Sequence, residues 1–355
     1  MTEGVVIENM ILSGPLGAER VFDLHHSSGL VEIRNMQFAL PTEVPGAAVR
    51  HVGAGTAMIV DTRAKLLEGD TGSVIASEPG SGPMLVWRTL LGSDFESTVT
   101  AIDASGSGLD VRDTFIGGAG VGLHAATQSP ATVFATTITK TTIGITGNAK
   151  LFRTIVSGNT TNCTGTGISS LGSNIEDGDS CGFSANGDMA STDPELVEWR
   201  SSSTSISSPG RFSPAFDANP DGDPGCISWP DHFGSTRPTG AGCELGGIES
   251  VPSPWCTDPA GAPVLSSVVF CDLAGADLSG AHLALRAFGG SDFRGANLRD
   301  AGMEWAYLDY SSLAGADLGG VSLTHSSLRH VDLPTPTSRE LTSRGPTRPT
   351  PTSPA

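Results

Sequence analysis

Asp231 and His232 place a carboxylic acid beside an imidazole, directly after Trp229-Pro230. Such a pair can move protons to and from a bound substrate. Cleaving a glycosidic bond would ask for two carboxylates about 5 to 9.5 Å apart, and no Asp-Asp pair occurs in the chain. Asp177-Gly178-Asp179 and Asp221-Gly222-Asp223 offer the oxygen ligands that calcium takes; solvated turns are the plainer reading of both. His25-His26 has no Asp or Cys in a recognisable motif and reads as a loop pair. The six cysteines, Cys163, Cys181, Cys226, Cys243, Cys256 and Cys271, include no C-x2-C spacing, which argues against zinc. They read as disulfides of an oxidising compartment, with fifteen possible pairings. Asn159-Thr160-Thr161 and Asn162-Cys163-Thr164 match a glycosylation sequon.

The elements that must hold these groups are repeats. Similar octets recur at Val5–Leu12, Val31–Phe38, Met58–Lys65, Met84–Leu91, Leu109–Ile116, Ala131–Ile138 and Ala149–Val156. The third residue of each is aliphatic: Ile7, Ile33, Val60, Val86, Val111, Val133 and Leu151, separated by 26, 27, 26, 25, 22 and 18 residues. The fifth residue after it is again apolar in every octet but one, which has Lys65. Amphipathic helices between these segments are absent, so a doubly wound sheet is excluded. Units of this length, each with a short strand and turns, describe a right-handed parallel β-helix. Its outward ladder begins Glu8, Arg34, Asp61, with Arg88 and Asp113 one place on, and reads as alternating surface charge that relieves like-charge stacking. Asn9 and Asn35 are placed to start an amide ladder at a corner.

A second period follows. From Cys271 to Leu333 an apolar centre recurs every five residues, in thirteen consecutive slots, with a mostly small residue two places before each. Neither a helix nor a flat strand has a period of five; a square coil with one pentad per side does. Ala276-Asp277-Leu278, Ala296-Asn297-Leu298 and Ala316-Asp317-Leu318 resemble the pentapeptide-repeat family, which implies a quadrilateral β-helix. Some members of that family resemble acidic duplexes and bind topoisomerases. Here eight acids against four arginines over 267–333, and little more than three coils at ~4.8 Å each, make a rod too short to imitate a length of DNA, so a topoisomerase-binding mimic is the lesser alternative.

Between the repeats, Thr154-Ile155-Val156-Ser157-Gly158-Asn159, Ser170-Leu171-Gly172-Ser173-Asn174, Thr192-Asp193-Pro194, Ser213-Pro214-Ala215-Phe216-Asp217, Thr236-Arg237-Pro238 and Cys243-Glu244-Leu245-Gly246-Gly247-Ile248-Glu249 follow in order. This series resembles the end of bacterial surface β-helix proteins of the choice-of-anchor Q type, over about Leu151 to Glu249. The resemblance implies a secreted or surface-exposed β-helix and no catalytic residues. Glu244 stands where the family has Asp. With local closure, the family pattern implies Cys163–Cys181 and Cys226–Cys243, leaving Cys256–Cys271. Cys271, in an inward small-residue slot, suits a free thiol equally well. Trp229-Pro230-Asp231-His232 resembles a motif of pectate lyases, but it lies in a Pro/Gly-rich loop rather than on a regular coil.

A formal charge of −18 with only three lysines argues against binding a nucleic-acid backbone. No stretch of ~20 apolar residues suggests a membrane span. No signal peptide is visible at Met1–Val6, and Val5 already lies inside a repeat, so upstream sequence is expected. The expected organisation is all-β: right-handed parallel β-helix coils over 1–160, an irregular cysteine-containing terminal part over 161–250, and a linker over 251–266. A pentapeptide-repeat solenoid over 267–333 and a disordered Pro/Thr/Ser tail over 334–355 follow. The expected function is a non-catalytic, adhesin-like module of the bacterial cell exterior, meeting an extracellular glycan or protein surface. A polysaccharide lyase or hydrolase, with Asp231 and His232 as its candidates, is the alternative.

Overall fold

The computed structural model describes residues 5–12, 22–39, 47–66, 72–93, 97–201, 204–210, 213–216, 218–220, 242–248, 271–284, 286 and 288–333. The chain divides into two compact units, Met1–Pro252 and Ser253–Ala355. The described residues contain no α-helix.

The first unit is a parallel β-solenoid with three stacks of strands. The first stack runs through Val5–Glu8, Leu30–Arg34, Thr56–Val60, Met84–Trp87, Leu109–Arg112 and Ala131–Phe134. The second runs from Ile11–Leu12 through Leu90–Gly92 and Phe115–Gly117 to Ile155–Ser157 and Ile175–Glu176. The third holds Phe22–Leu24, Ala47–His51, Ser73–Ser77, Thr100–Ala104 and Val121–Ala125. The strand pairings between coils are parallel, in unbroken register over most of the unit, as in Val111↔Val133 and Ile102↔Leu123; the register shifts at Thr146/Asn148 and Leu151/Phe152 in the last pairing. In the last coils the turn between the third stack and the next first stack disappears. Ile143–Phe152 therefore serves both stacks and pairs with Thr161–Gly172, so regular coil continues past residue 160.

Strand alternation explains the core. Ile33, Ile59, Val86, Val111, Val133 and Leu151 form one inward column and are fully buried, each worth about 1.5–3 kcal/mol in transfer terms. This register corrects the third octet: Ile33 pairs with Ile59, not Val60. The octet is thus 57–64, and its closing core position is Ala64, aligned with Phe38 and Leu91. Lys65 is no exception to the pattern, because it is not in that column. The shift also moves Asp61 into the corner between the first two stacks. There Asn9, Asn35, Asp61, Arg88, Asp113, Ala135, Arg153 and Ser173 all adopt left-handed backbone, with φ between 42° and 60°.

Beside this corner runs a buried column the sequence reading passed over: Thr62, Thr89, Thr114, Thr136 and Thr154. Each hydroxyl donates to the carbonyl two residues back, at 2.8–3.1 Å. Asn174 closes the column, its Oδ1 accepting from the Thr154 amide at 2.9 Å.

The second stack is buried on both sides. Leu91, Ile116, Ile138 and Val156 face the core, whereas Leu90 and Phe115 pack outward against Ile206 and Ile248. Ile206 belongs to an antiparallel hairpin, Leu196–Ser201 with Thr204–Pro209. The segment 243–248 completes the cover. Gly246 N donates to Arg153 O and Gly247 N to Thr137 Oγ1. A Cβ on Gly247 would lie 2.4 Å from the Thr114 carbonyl oxygen, so this approach needs glycine.

The second unit is a square coil. Bridges link residues twenty apart, Asp272↔Asp292↔Ser312↔Asp332 and Asp277↔Asn297↔Asp317, giving four pentads per turn. Leu273, Leu278, Leu283, Phe288, Phe293, Leu298, Met303, Leu308 and Leu313 are buried in one cluster. Cys271 shares that cluster and is disulfide-bonded, not a free thiol.

Candidate interaction surfaces

The first stack's outer face is a ladder of charge pairs and flat groups. Arg34 Nε donates to Glu8, and Asn35 Nδ2 to Asn9 Oδ1 at 2.6 Å, so the corner amide ladder forms. Arg88 grips Asp61 with two bonds of 2.6 and 2.8 Å, and Arg112 grips Asp110 with two of 2.7 Å. The Arg112 guanidinium lies 5.2 Å from the centre of the Trp87 ring and 6.0 Å from that of Phe134. Phe134 stands 5.4 Å from Phe152. Stacking like positions at ~4.8 Å intervals lets cation–π contacts join three successive coils, and the Phe134–Phe152 ring pair reaches a fourth.

The third stack's outer face carries Asp23–Arg50–Glu78, with contacts of 3.5 and 2.6 Å. Next to it lies Ser73–Asp103–His124. Ser73 Oγ donates to Asp103 Oδ2 at 3.4 Å, and His124 Nδ1 meets Asp103 Oδ1 at 2.8 Å. Serine, aspartate and histidine thus meet in the wrong order for nucleophilic catalysis. The hydroxyl faces the carboxylate, whereas activation needs the imidazole between them.

Of the residues singled out earlier, Cys163 and Cys181 are joined across 18 residues, and Cys243 is disulfide-bonded. Cys226, Cys256, Asp231, His232, Asp221 and Asp223 lie outside the described residues. Asp177 spends both oxygens on structure, accepting from Asn162 Nδ2 and Gly158 N at 2.8 Å each. The sequon asparagines are likewise structural: Asn162 is buried, and Asn159 Nδ2 donates to Ile138 O and to Asn162 Oδ1. Glu176, fully buried, accepts the Cys181 amide, and its burial raises its pKa. Replacing Cys163 and Cys181 together by serine should cost about 3 kcal/mol, from an 18-residue closure in the chain-entropy model. Urea unfolding of oxidised parent and double variant would show it.

The faces of the second unit are unequal. Two neighbouring faces keep the repeat pattern, with Asp272, Asp277, Asn297 and Asp317 outward and Asp292 buried. Their charges partly cancel, Arg294 on Asp292 and Arg299 on Asp317, both at 2.8 Å. The other two faces depart from it. Trp305 stacks on His325 with centroids 4.3 Å apart, and Tyr310 on His330 at 4.7 Å with planes 3° apart. Tyr307 and Ser327 occupy the bridging position between those corners. Asp309 accepts Ser327 Oγ at 2.6 Å and Arg329 N at 2.8 Å. On the adjoining face, a hydrogen bond from Ser322, the residue's own amide and nearby His282 hold the Glu304 carboxyl below its usual range. The aromatic side chains were signalled in the sequence, because both tyrosines of the chain fall within four residues.

A family model for pentapeptide repeats, with eight copies, matches residues 271–309 and 303–334. Neither the curated proteins nor the solved structures contain a match. The protein is a β-helix repeat protein: a parallel β-solenoid with pentapeptide repeats in its C-terminal region.

Proposed function

We propose that the protein is a non-catalytic structural and interaction module of the bacterial cell exterior, presenting rigid β-solenoid faces to a glycan or protein surface. The observation that carries this is the pairing of charge along the outer ladders. Glu8–Arg34, Asp61–Arg88 and Asp110–Arg112 each bind a carboxylate to an arginine of the same or a neighbouring coil. Neutralised pairs hold a surface in shape; a general acid needs a carboxyl kept protonated by an apolar or like-charged setting. The exterior location draws on the Cys163–Cys181 disulfide and on the likeness of 151–249 to the choice-of-anchor Q type. Incubating the full chain with polygalacturonate, xylan and a β-glucan should release neither reducing ends nor unsaturated uronides. Release that disappeared on Asp231→Ala would replace this reading with the lyase or hydrolase.

A further inference from the structure

From the two decorated faces of the square coil we infer a binding site for a neutral polysaccharide chain, with Trp305 as its principal contact. The site deepens the proposed interaction function and rests on it.

Backbone cost is the first argument. Corners of this coil need left-handed φ, and glycine fills six of them: Gly275, Gly280, Gly290, Gly295, Gly315 and Gly320. Trp305, Tyr310, His325 and His330 take the same conformation, with φ of 54–62°. A non-glycine residue there costs roughly 1–2 kcal/mol, and bulky side chains are outliers in that region. Asp300 also takes this conformation, with φ 56°; the other four non-glycine corners bear rings and lie on adjoining edges, so the backbone cost of aromatic corners is concentrated on one side of the coil.

Exposure and rigidity come next. Trp305 is 60% exposed, the most open large apolar side chain among the described residues. It is held by its stack on His325, so little rotamer freedom remains to be lost on binding.

Size and charge select the ligand. Two pentad faces by two coils span at most roughly 34 Å by 10 Å, still below the ~800 Å² per partner of a stable protein interface. It does suit one or two sugar rings, whose C–H faces lie on aromatic planes while their hydroxyls reach groups such as Glu304 and Arg329. These two faces carry two acids, Glu304 and Asp309, against Arg286 and Arg329. Their formal charge is zero, whereas the whole chain at −18 repels polyanions. A neutral glycan meets no such barrier.

The test is affinity electrophoresis of the full chain in gels cast with soluble β-1,3-glucan, xylan or polygalacturonate. Retardation is expected in a neutral glycan gel and not in polygalacturonate. Trp305→Ala should weaken it at least tenfold, and His325→Ala, which removes the supporting ring, severalfold. Asp277→Asn, on a face that keeps the repeat pattern, should change nothing. Thermal unfolding matched to the parent qualifies each variant. Retardation indifferent to both ring variants, or seen in polygalacturonate alone, would overturn the site while leaving the non-catalytic reading intact. No retardation in any gel would also overturn it, and is the result expected of a protein-binding face. Trp305-dependent retardation accompanied by sugar release would support the site and overturn the non-catalytic reading.

Discussion

Acidification from about pH 7 to about pH 4 is expected to cost the first unit about 3 kcal/mol through one side chain, His51. The register Leu24↔His51↔Ser77 places the imidazole in an inward column of the third stack, fully buried. Its ring lies 5.0 Å from that of His26, one coil away. Burial and the second imidazole lower its pKa from 6.5 to about 4, with the Gly53 and Gly55 carbonyls pulling the other way. The unfolded chain therefore takes up a proton near pH 6.5 that the folded chain refuses until about pH 4. Stability falls as pH drops through that window and levels off below it. His51→Leu should flatten the dependence by about the same 3 kcal/mol, read as the difference in urea unfolding free energy between the two pH values. Equal acid losses in parent and variant would assign the sensitivity elsewhere. Gly53 and Gly55 belong to the same arrangement, since a Cβ on either would collide with His26.

That pairing shows where a sequence stops being legible. His25-His26 reads as a loop doublet because the partner of His26 is a full coil away, and only the register between coils brings the two together. Register is also where the octets slipped. Met58, Ile59 and Val60 are all acceptable strand residues, so hydrophobicity alone does not say which one points inward. Position 64 decides it, and a small alanine there is easily passed over for the neighbouring pattern. The pentads leave no such freedom, because one residue of slip would put every leucine outside; nine of the thirteen centres are buried and Leu318, Leu323 and Leu328 pack against them, while Leu333 at the end is exposed. The ion pairs were half legible: alternating charge was plain, while Asp61 opposite Arg88 required the corrected register. The aromatic corners were fully visible in the text. Seeing that they fall on two faces out of four, at left-handed corners, required the coil geometry.

Arg153→Ala should remove about 3 kcal/mol and release the cover of the second stack before the coils themselves unfold. The arginine sits at the left-handed corner with φ 55°, is fully buried, and lies 5.9 Å from the centre of the Phe134 ring. Its Nη2 donates to the Glu244 carbonyl at 3.3 Å, and its own carbonyl accepts the Gly246 amide at 2.8 Å. One residue thus ties the coil to a segment 91 positions later. Such a tie is needed because Leu90, Phe115 and Ile155 turn apolar side chains away from the solenoid core, toward the hairpin and 243–248. Arg153→Met keeps most of the aliphatic bulk and the backbone bond from Gly246 but loses the side-chain hydrogen bond to Glu244, so it should fall between parent and alanine variant. Limited proteolysis reads the outcome, with cleavage expected within 194–248 while the strands from Leu30 to Ser157 stay protected. Uniform digestion of the whole unit would mean that cover and coils unfold together. The apolar outer side of the second stack would then be a continuation of the core rather than a surface with a separable lid.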